Sequence, residues 1–581
     1  MNENNSRTEA VGQTDGVGIG DRGWAAFLAV ICLVILFANL GDAALFEPDE
    51  GRNAEKAREI LVLNDWVTPH HNFLPTLDKP MGFYWPVALS FKVFGLTEWA
   101  ARLPSALAAL GCLLLVYRFA RRQWGLTAAL WSCLVLATSV EFFIFARLVI
   151  FDMSLTFFLS LALFSFYWAT GAQDSRTRLF HSLVMFGAVG AGTLIKGPIA
   201  VVIPGMVVFI FLLVTRQWAL LSRLCLLRGA VVFFVIVAPW YLWTEAKNPG
   251  YLSYFLLQEH FFRYLTPQFN RSAGWYYFFL VLAAGFLPWS LLLPQMAKNY
   301  WKRKFDEINL FLSLWTILPF IFFSLSSSKL PHYILPIYPA LALLMGRFIA
   351  VRIRDAGSKP WGVVAAPWLL VILTLAYFFL GAIWPGILAA PIRAAAAKNF
   401  ISLGLYGALV LAVFGIYAAG HRKSAWRDWG AAYLCTATGL AFFCIVIGQM
   451  MATASAERTA KPLAQVSAPF IGPGDRVGFY DTYLTGIAFY LAADRPLWLA
   501  QQEEKNRIMG SNYLAVFRPE AAAGQGQVVF PFSEFATQWK RKDLILRVFV
   551  KEKNLKRMSD DVGAEPIVLT KFDEYLLVTN R

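Results

Sequence analysis

The sequence predicts a polytopic α-helical membrane protein with a small soluble α/β domain at its C-terminus, and three observations predict it. Hydrophobic residues make up 58% of the 581 residues and charged residues only 15%, whereas soluble domains approach a quarter charged; mean hydropathy is +0.52. Apolar runs of about 17 to 24 residues, long enough to cross a hydrocarbon core of about 30 Å as helices, recur over most of the chain. The last part, 451–581, gains charge, Gly and Pro and has the size of a common soluble domain.

Taken in order, residues 1–22 are polar and lack a small-residue cleavage site near the first apolar run. They read as a disordered cytoplasmic tail before a retained anchor. Apolar runs follow at 24–40, 81–98, 104–120, 125–140, 150–170, 181–195, 198–214, 229–243, 275–295, 309–325, 333–350, 362–384, 401–419 and 429–449. Basic clusters sit at Arg118, Arg121 and Arg122, at Arg176 and Arg178, at Arg216, Arg223 and Arg228, at Lys298 to Lys304, at Arg347 to Arg354, and at Arg422 to Arg427. The positive-inside rule places these loops in the cytoplasm and accounts for the net charge of +15 without nucleic acid. The alternation holds only if one early run does not cross. Run 81–98 contains Pro86 and Lys92 and suits an interfacial helix, so about thirteen crossings remain.

This topology makes 23–450 the membrane domain, with 43–102 as its first outer loop and 451–581 outside. The runs DRVGFY, NYLAVF, LILRVFV and EYLLVTN in the tail read as strands. Five of the six cysteines lie in apolar runs, which points to no disulfide framework and no metal pair.

The outer loops hold the chemistry. FEPDEG places Glu47, Asp49 and Glu50 just past the first crossing; a solvated interface cap is one reading, although one acid would suffice to cap a helix. The same loop returns through TLDKPMGFYW, with Asp78, Lys79, Tyr84 and an interfacial Tyr–Trp pair. EPDEGRNAEKAREIL, followed by DWVTPHHNFLPTLDKPMGFYWPVALSFKVFGLTEWAARLPS, resembles the N-terminal signature of GT-C glycosyltransferases that use polyprenyl-phosphate sugars. Among these it is most similar to the lipid A aminoarabinose transferases. The acid, the Lys–Pro and the ARLPS element recur in order, and the resemblance covers the membrane region well and the tail only in position and size.

The resemblance implies a GT-C fold with juxtamembrane helices in the first outer loop. It implies transfer of 4-amino-4-deoxy-L-arabinose from undecaprenyl phosphate to lipid A phosphate at the periplasmic face of the inner membrane, a lipopolysaccharide modification that favours resistance to cationic peptides such as polymyxin. Asp49 becomes the expected reactive-centre acid, supported by Glu47 and Glu50. Asp152 opens a later crossing; a helix N-cap explains it alone, whereas in the resembling family an acid here faces the first-loop acid across the active cavity.

Glu259, His260 and Arg263 lie on an aromatic-rich amphipathic stretch, readable also as an interfacial helix with a snorkelling arginine. Lys329, His332, Tyr333 and Tyr338 lie in SSSKLPHYILPIY, where a lysine–tyrosine anchor is the plainer reading. The expected donor-phosphate ligands are Lys79, Arg263, Lys329 and Tyr338, with Glu47, Asp78, Tyr84, Glu259, His260 and Tyr333 lining the cavity. Lys196, in a turn between two helices, is the weaker candidate.

The six histidines show no compact ligand spacing. No cofactor is expected, since Lys and Arg neutralise a monophosphate; a divalent ion on His260 and Glu259 is left open. No nucleotide-binding glycine motif occurs, so the sugar is expected to arrive on a lipid, and the chain is expected to work as a monomer among membrane lipids. Competing readings are a protein O-mannosyl or arabinosyl transferase of the same fold, a transporter or flippase with charges at mid-membrane, and a scaffold acting through its tail.

Overall fold

A computed structural model describes residues 19–262, 273–302, 306–354, 429–502, 509, 511–517, 521–522 and 526–581. Among these, seven helices are long and apolar enough to cross a membrane, or up to nine if each of two bent pairs counts as one span. The chain is a multi-pass helical membrane protein with a sheet-containing C-terminal domain. The runs 362–384 and 401–419, and Arg263, lie outside the described residues.

The bundle begins with α1 (Ile19–Phe37). The loop after it forms α2 (Asp49–Leu63), whose first turn carries Asp49 and Glu50, the charge sign that a helix N-terminus favours. Asn64 ends it in the left-handed conformation. A two-residue hairpin, β1 (His70–His71) with β2 (Leu74–Pro75), leads to α3 (Tyr84–Phe94). Eleven residues cannot cross a membrane. Leu89, Val93 and Phe94 are exposed on α3 while Tyr84, Val87 and Ala88 are buried, as expected of a helix lying along a lipid surface.

The bundle continues with α4 (Glu98–Trp124), α5 (Leu126–Thr138), α6 (Val140–Ala146), α7 (Phe151–Gly171), α8 (Ser175–Lys196), α9 (Ile199–Thr215) and α10 (Leu226–Lys247). It is completed by α11 (Tyr277–Gly285), α12 (Leu293–Lys302), α13 (Glu307–Leu325), α14 (Tyr338–Arg354) and α15 (Trp429–Ala456). Run 125–140 ends at a bend, and run 275–295, which reads as a straight crossing, is broken. Between α5 and α6 the chain bends by 68° at extended Ser139, where Thr138 and Ser139 donate their hydroxyls back to the carbonyls of Leu134 and Val135, a contact that bends helices. After α11 the bend is 108°, next to Pro288, which cannot donate to a helix.

The C-terminal domain has a six-stranded sheet built from β3 (Arg476–Tyr480), β4 (Trp498–Ala500), β5 (Val529–Phe530), β6 (Leu546–Lys551), β7 (Ile567–Phe572) and β8 (Tyr575–Thr579), in the order β5-β4-β3-β6-β8-β7. Neighbours from β5 to β6 pair in parallel, while β8 is antiparallel to both β6 and β7. Three of the four tail runs read as strands are strands. The fourth, NYLAVF, is instead helix α16 (Asn512–Phe517), because Asp78 of the first loop accepts from Tyr513 N–H at 2.9 Å and Ser511 Oγ accepts from Leu514 N–H at 3.3 Å. Periodicity alone cannot separate a short apolar strand from a helix.

The first loop and this domain are locked together. Asn72 donates to Leu497 O and accepts from Leu497 N–H, at 2.8 and 2.7 Å. Gly51 on α2 meets Gly486 so closely that a Cβ on Gly51 would stand 2.7 Å from Gly486 Cα.

Candidate active site

A cavity of about 680 Å³ opens where α2, α7, α8 and α13 meet the loop carrying Asp78 and helix α16. Asp49, Asp78, Asp152 and Glu259 reach it, as do Arg52, Lys56, Lys79 and Lys196; Ile199, Val202, Leu256, Phe322 and Phe323 supply apolar wall. Low-dielectric walls strengthen the field of such charges.

Asp49 projects from the first turn of α2 with 66% of its side chain exposed, paired with Arg52 at 2.8 Å. Asp152 is its opposite in environment: buried in the first turn of α7, it holds Lys196 Nζ at 2.5 Å, with His332 Nε2 at 3.6 Å. Lys196 ends α8 and stands 4.9 Å over the Tyr333 ring. The sequence ranked this lysine below its actual placement, because its partner is 44 positions away. Lys79 pairs with Glu259 at 2.6 Å, and the second oxygen of Glu259 accepts from Asn512 of the C-terminal domain at 3.0 Å. Asp78 accepts from Tyr254 and Ser511 hydroxyls at 3.0 and 2.6 Å. Tyr84 lines the floor, and His260 and Tyr333 line the walls.

Four expected site residues do other work. Glu50 is buried off the cavity: Arg102 forks onto both its oxygens at 3.0 and 2.8 Å, and Val149 N–H and Phe46 N–H donate to it at 2.8 and 3.1 Å. With its lone pairs committed, it shapes the start of α2 and is not a catalytic group. Glu47 also lies off the cavity and latches the C-terminal domain, accepting from Thr485 N–H, Thr485 Oγ1–H and Gly486 N–H at 2.8, 2.5 and 2.6 Å. Burial raises its carboxyl above the usual range against these hydrogen bonds. Tyr338 is fully buried and donates to Glu141 at 2.5 Å, so it cannot reach a phosphate in the cavity. Lys329 is buried behind the cavity lining and donates to the carbonyl of Ser326, a lining residue, at 2.7 Å.

His260 has Phe255 O 2.7 Å from Nδ1 and Lys196 O 3.2 Å from Nε2, and burial, followed by Lys79, pushes its imidazole below the usual range. Both ring nitrogens face backbone, and Glu259 faces Lys79 and Asn512. Among the described residues no three His, Cys, Asp or Glu side chains are grouped to hold a metal ion. The sequence reads Arg52 to Lys56 as the start of the helix that holds Asp49 and gives them no site role, yet Arg52, Asn53 and Lys56 all line the cavity. Their spacing from Asp49, three, four and seven positions on, puts them on one helical face and was the available signal.

Comparison with known proteins places this architecture. Residues 78–243 match the family described as dolichyl-phosphate-mannose-protein mannosyltransferase. ArnT from Cupriavidus metallidurans, solved bound to undecaprenyl phosphate, superposes with a TM-score of 0.80 at 25% identity, covering 96% of this chain and 98% of that one. The fold is therefore the GT-C membrane fold. The undecaprenyl phosphate-alpha-4-amino-4-deoxy-L-arabinose arabinosyl transferase of Edwardsiella ictaluri is 31% identical over 71% of this chain and 74% of its own. That of Pseudomonas paraeruginosa is 34% identical over 58% of this chain. The chain belongs to this arabinosyl transferase family, although its match spans only 61% of the length of the Pseudomonas relative.

Proposed function

We propose that the protein transfers 4-amino-4-deoxy-L-arabinose from undecaprenyl phosphate to a phosphate of lipid A at the periplasmic face of the bacterial inner membrane. The observation that carries the reading is the convergence of Lys79, Lys196, Asp49 and Asp152 on one cavity with an apolar wall. The family membership supplies the sugar and the lipid carrier, and the product would favour resistance to polymyxin.

In this reading the wall formed by Ile199, Val202 and Phe322 takes the first prenyl units. Lys79 leaves Glu259 to hold the donor phosphate, and Lys196, oriented by Asp152, adds a second positive charge as the glycosidic bond breaks. An acceptor phosphate is already ionised near neutral pH, so Asp49 needs to accept no proton. It orients the acceptor or stabilises positive charge on the sugar ring and its amine. No metal is required, since the lysines supply the charge.

A second reading, transfer to a protein hydroxyl, is favoured by the mannosyltransferase family match; there Asp49 would act as general base. Mass spectrometry of lipid A from cells with and without the protein separates the two. The first reading expects an aminoarabinose-sized increment only when the protein is present. Unchanged lipid A beside altered glycoproteins overturns it in favour of the second.

A further inference from the structure

The cations at the cavity are not equivalent. Arg52 is paired with Asp49, Lys79 with Glu259 and Lys196 with Asp152. Lys56 lines the same cavity from the buried face of α2, yet among the described residues no carboxylate pairs with it. It is 3% exposed. Its ammonium has Thr76 O at 3.4 Å, a marginal hydrogen bond, and the Tyr84 ring at 5.7 Å. Burying a cation with so little compensation is costly. Burial pushes its amine down to about 8, even though Asp78 and Glu59 act to raise it.

We propose that Lys56 is a second phosphate ligand of the cavity, separate from Lys79, filled by a phosphate monoester group when a lipid substrate binds. The inference rests on the proposed transfer between phosphate-bearing lipids and adds a residue to it. Lys56 is seven positions from Asp49 on one helix, about 10 Å along its axis. A phosphate held there fixes one end of a substrate while Asp49 meets the other. Asn53, between them, already donates to Val149 O at 2.8 Å, which leaves the charge to Lys56.

The test uses the full-length protein in detergent, as wild type, Lys56→Met and Lys56→Arg. Two probes are titrated: undecaprenyl phosphate, and a diphosphorylated glucosamine disaccharide of the lipid A type. One charge-assisted hydrogen bond predicts about a tenfold or greater weakening in Lys56→Met, with substantial recovery in Lys56→Arg. Loss confined to the disaccharide assigns the lysine to the acceptor phosphate, and loss confined to undecaprenyl phosphate assigns it to the donor; either supports the proposal. Because Met replaces a buried charge with no carboxylate paired to it, monodisperse Lys56→Met should last at least as long in detergent at fixed temperature as wild type. Wild-type affinity of Lys56→Met for both probes overturns the lysine assignment alone. If folded wild type binds neither probe, the transfer reading falls with it.

Discussion

Replacing Arg102 with Met should destabilise the membrane domain more than any cavity substitution. Arg102 is 1% exposed and ties the end of the first crossing to α2. Besides its fork on Glu50 it donates to Leu40 O at 3.1 Å, Ala43 O at 2.5 Å and Ala44 O at 3.0 Å. Met fills similar space but leaves an anionic Glu50 buried beside two N–H donors, and three carbonyls lose their partner. Removing one member of a buried pair costs about 3–5 kcal/mol, a factor of roughly a hundred or more in the folded ratio. Both partners' charges leave together in Arg102→Met/Glu50→Gln, which should recover part of the loss. Large proteins commonly unfold irreversibly, so the assay is the half-life of monodisperse protein in detergent at fixed temperature. The expected order is wild type, then the double variant, then Arg102→Met. A single variant as long-lived as wild type, or a double variant no better than the single, refutes the clamp.

Further substitutions separate roles inside and outside the cavity. Asp152→Asn leaves Lys196 without its anion and should lower turnover by about a hundredfold, the scale of lost electrostatic preorganisation; steady-state product formation checks it. Tyr338→Phe should leave undecaprenyl phosphate affinity at the wild-type value while costing about 1–3 kcal/mol of stability, because the buried Glu141 loses its donor. Glu47→Ala should raise hydrogen exchange at Thr485 and Gly486. His71 is fully buried, and burial, followed by Lys56 and Arg52, holds its imidazole well below the usual range. Its contribution is therefore present above about pH 6.5 and lost as pH falls below it, by up to about 1.4 kcal/mol per unit. Glu59, raised by burial, changes in the opposite sense, so the difference in acid stability between wild type and His71→Gln isolates the imidazole.

Much of the architecture was legible because bilayers constrain sequence so strongly. Run length exposed the crossings, and alternation of basic loops was enough to remove 81–98 from the membrane, where the structure has the eleven-residue α3. The boundary at Ser139 was legible as the end of run 125–140, whereas the break inside 275–295 was not, because apolar residues flank Pro288 on both sides. At the site, proximity in sequence misled. Glu47, Asp49 and Glu50 look alike, yet Glu47 faces a domain 438 positions on and Glu50 an arginine 52 positions on, and only Asp49 reaches the cavity. A lone acid such as Asp152 and a lone turn lysine such as Lys196 reveal their pairing only in three dimensions.

The proposed transfer of a sugar from a lipid phosphate in this cavity can be measured outright. Its most direct test is product formation by purified protein from undecaprenyl phosphate aminoarabinose and lipid A, run with and without EDTA and repeated with Lys79→Ala and Asp152→Asn. Wild type should form modified lipid A in both buffers, with losses of at least tenfold in the two folded variants. No modified lipid A from wild type, or turnover at the wild-type rate in both variants, would contradict it.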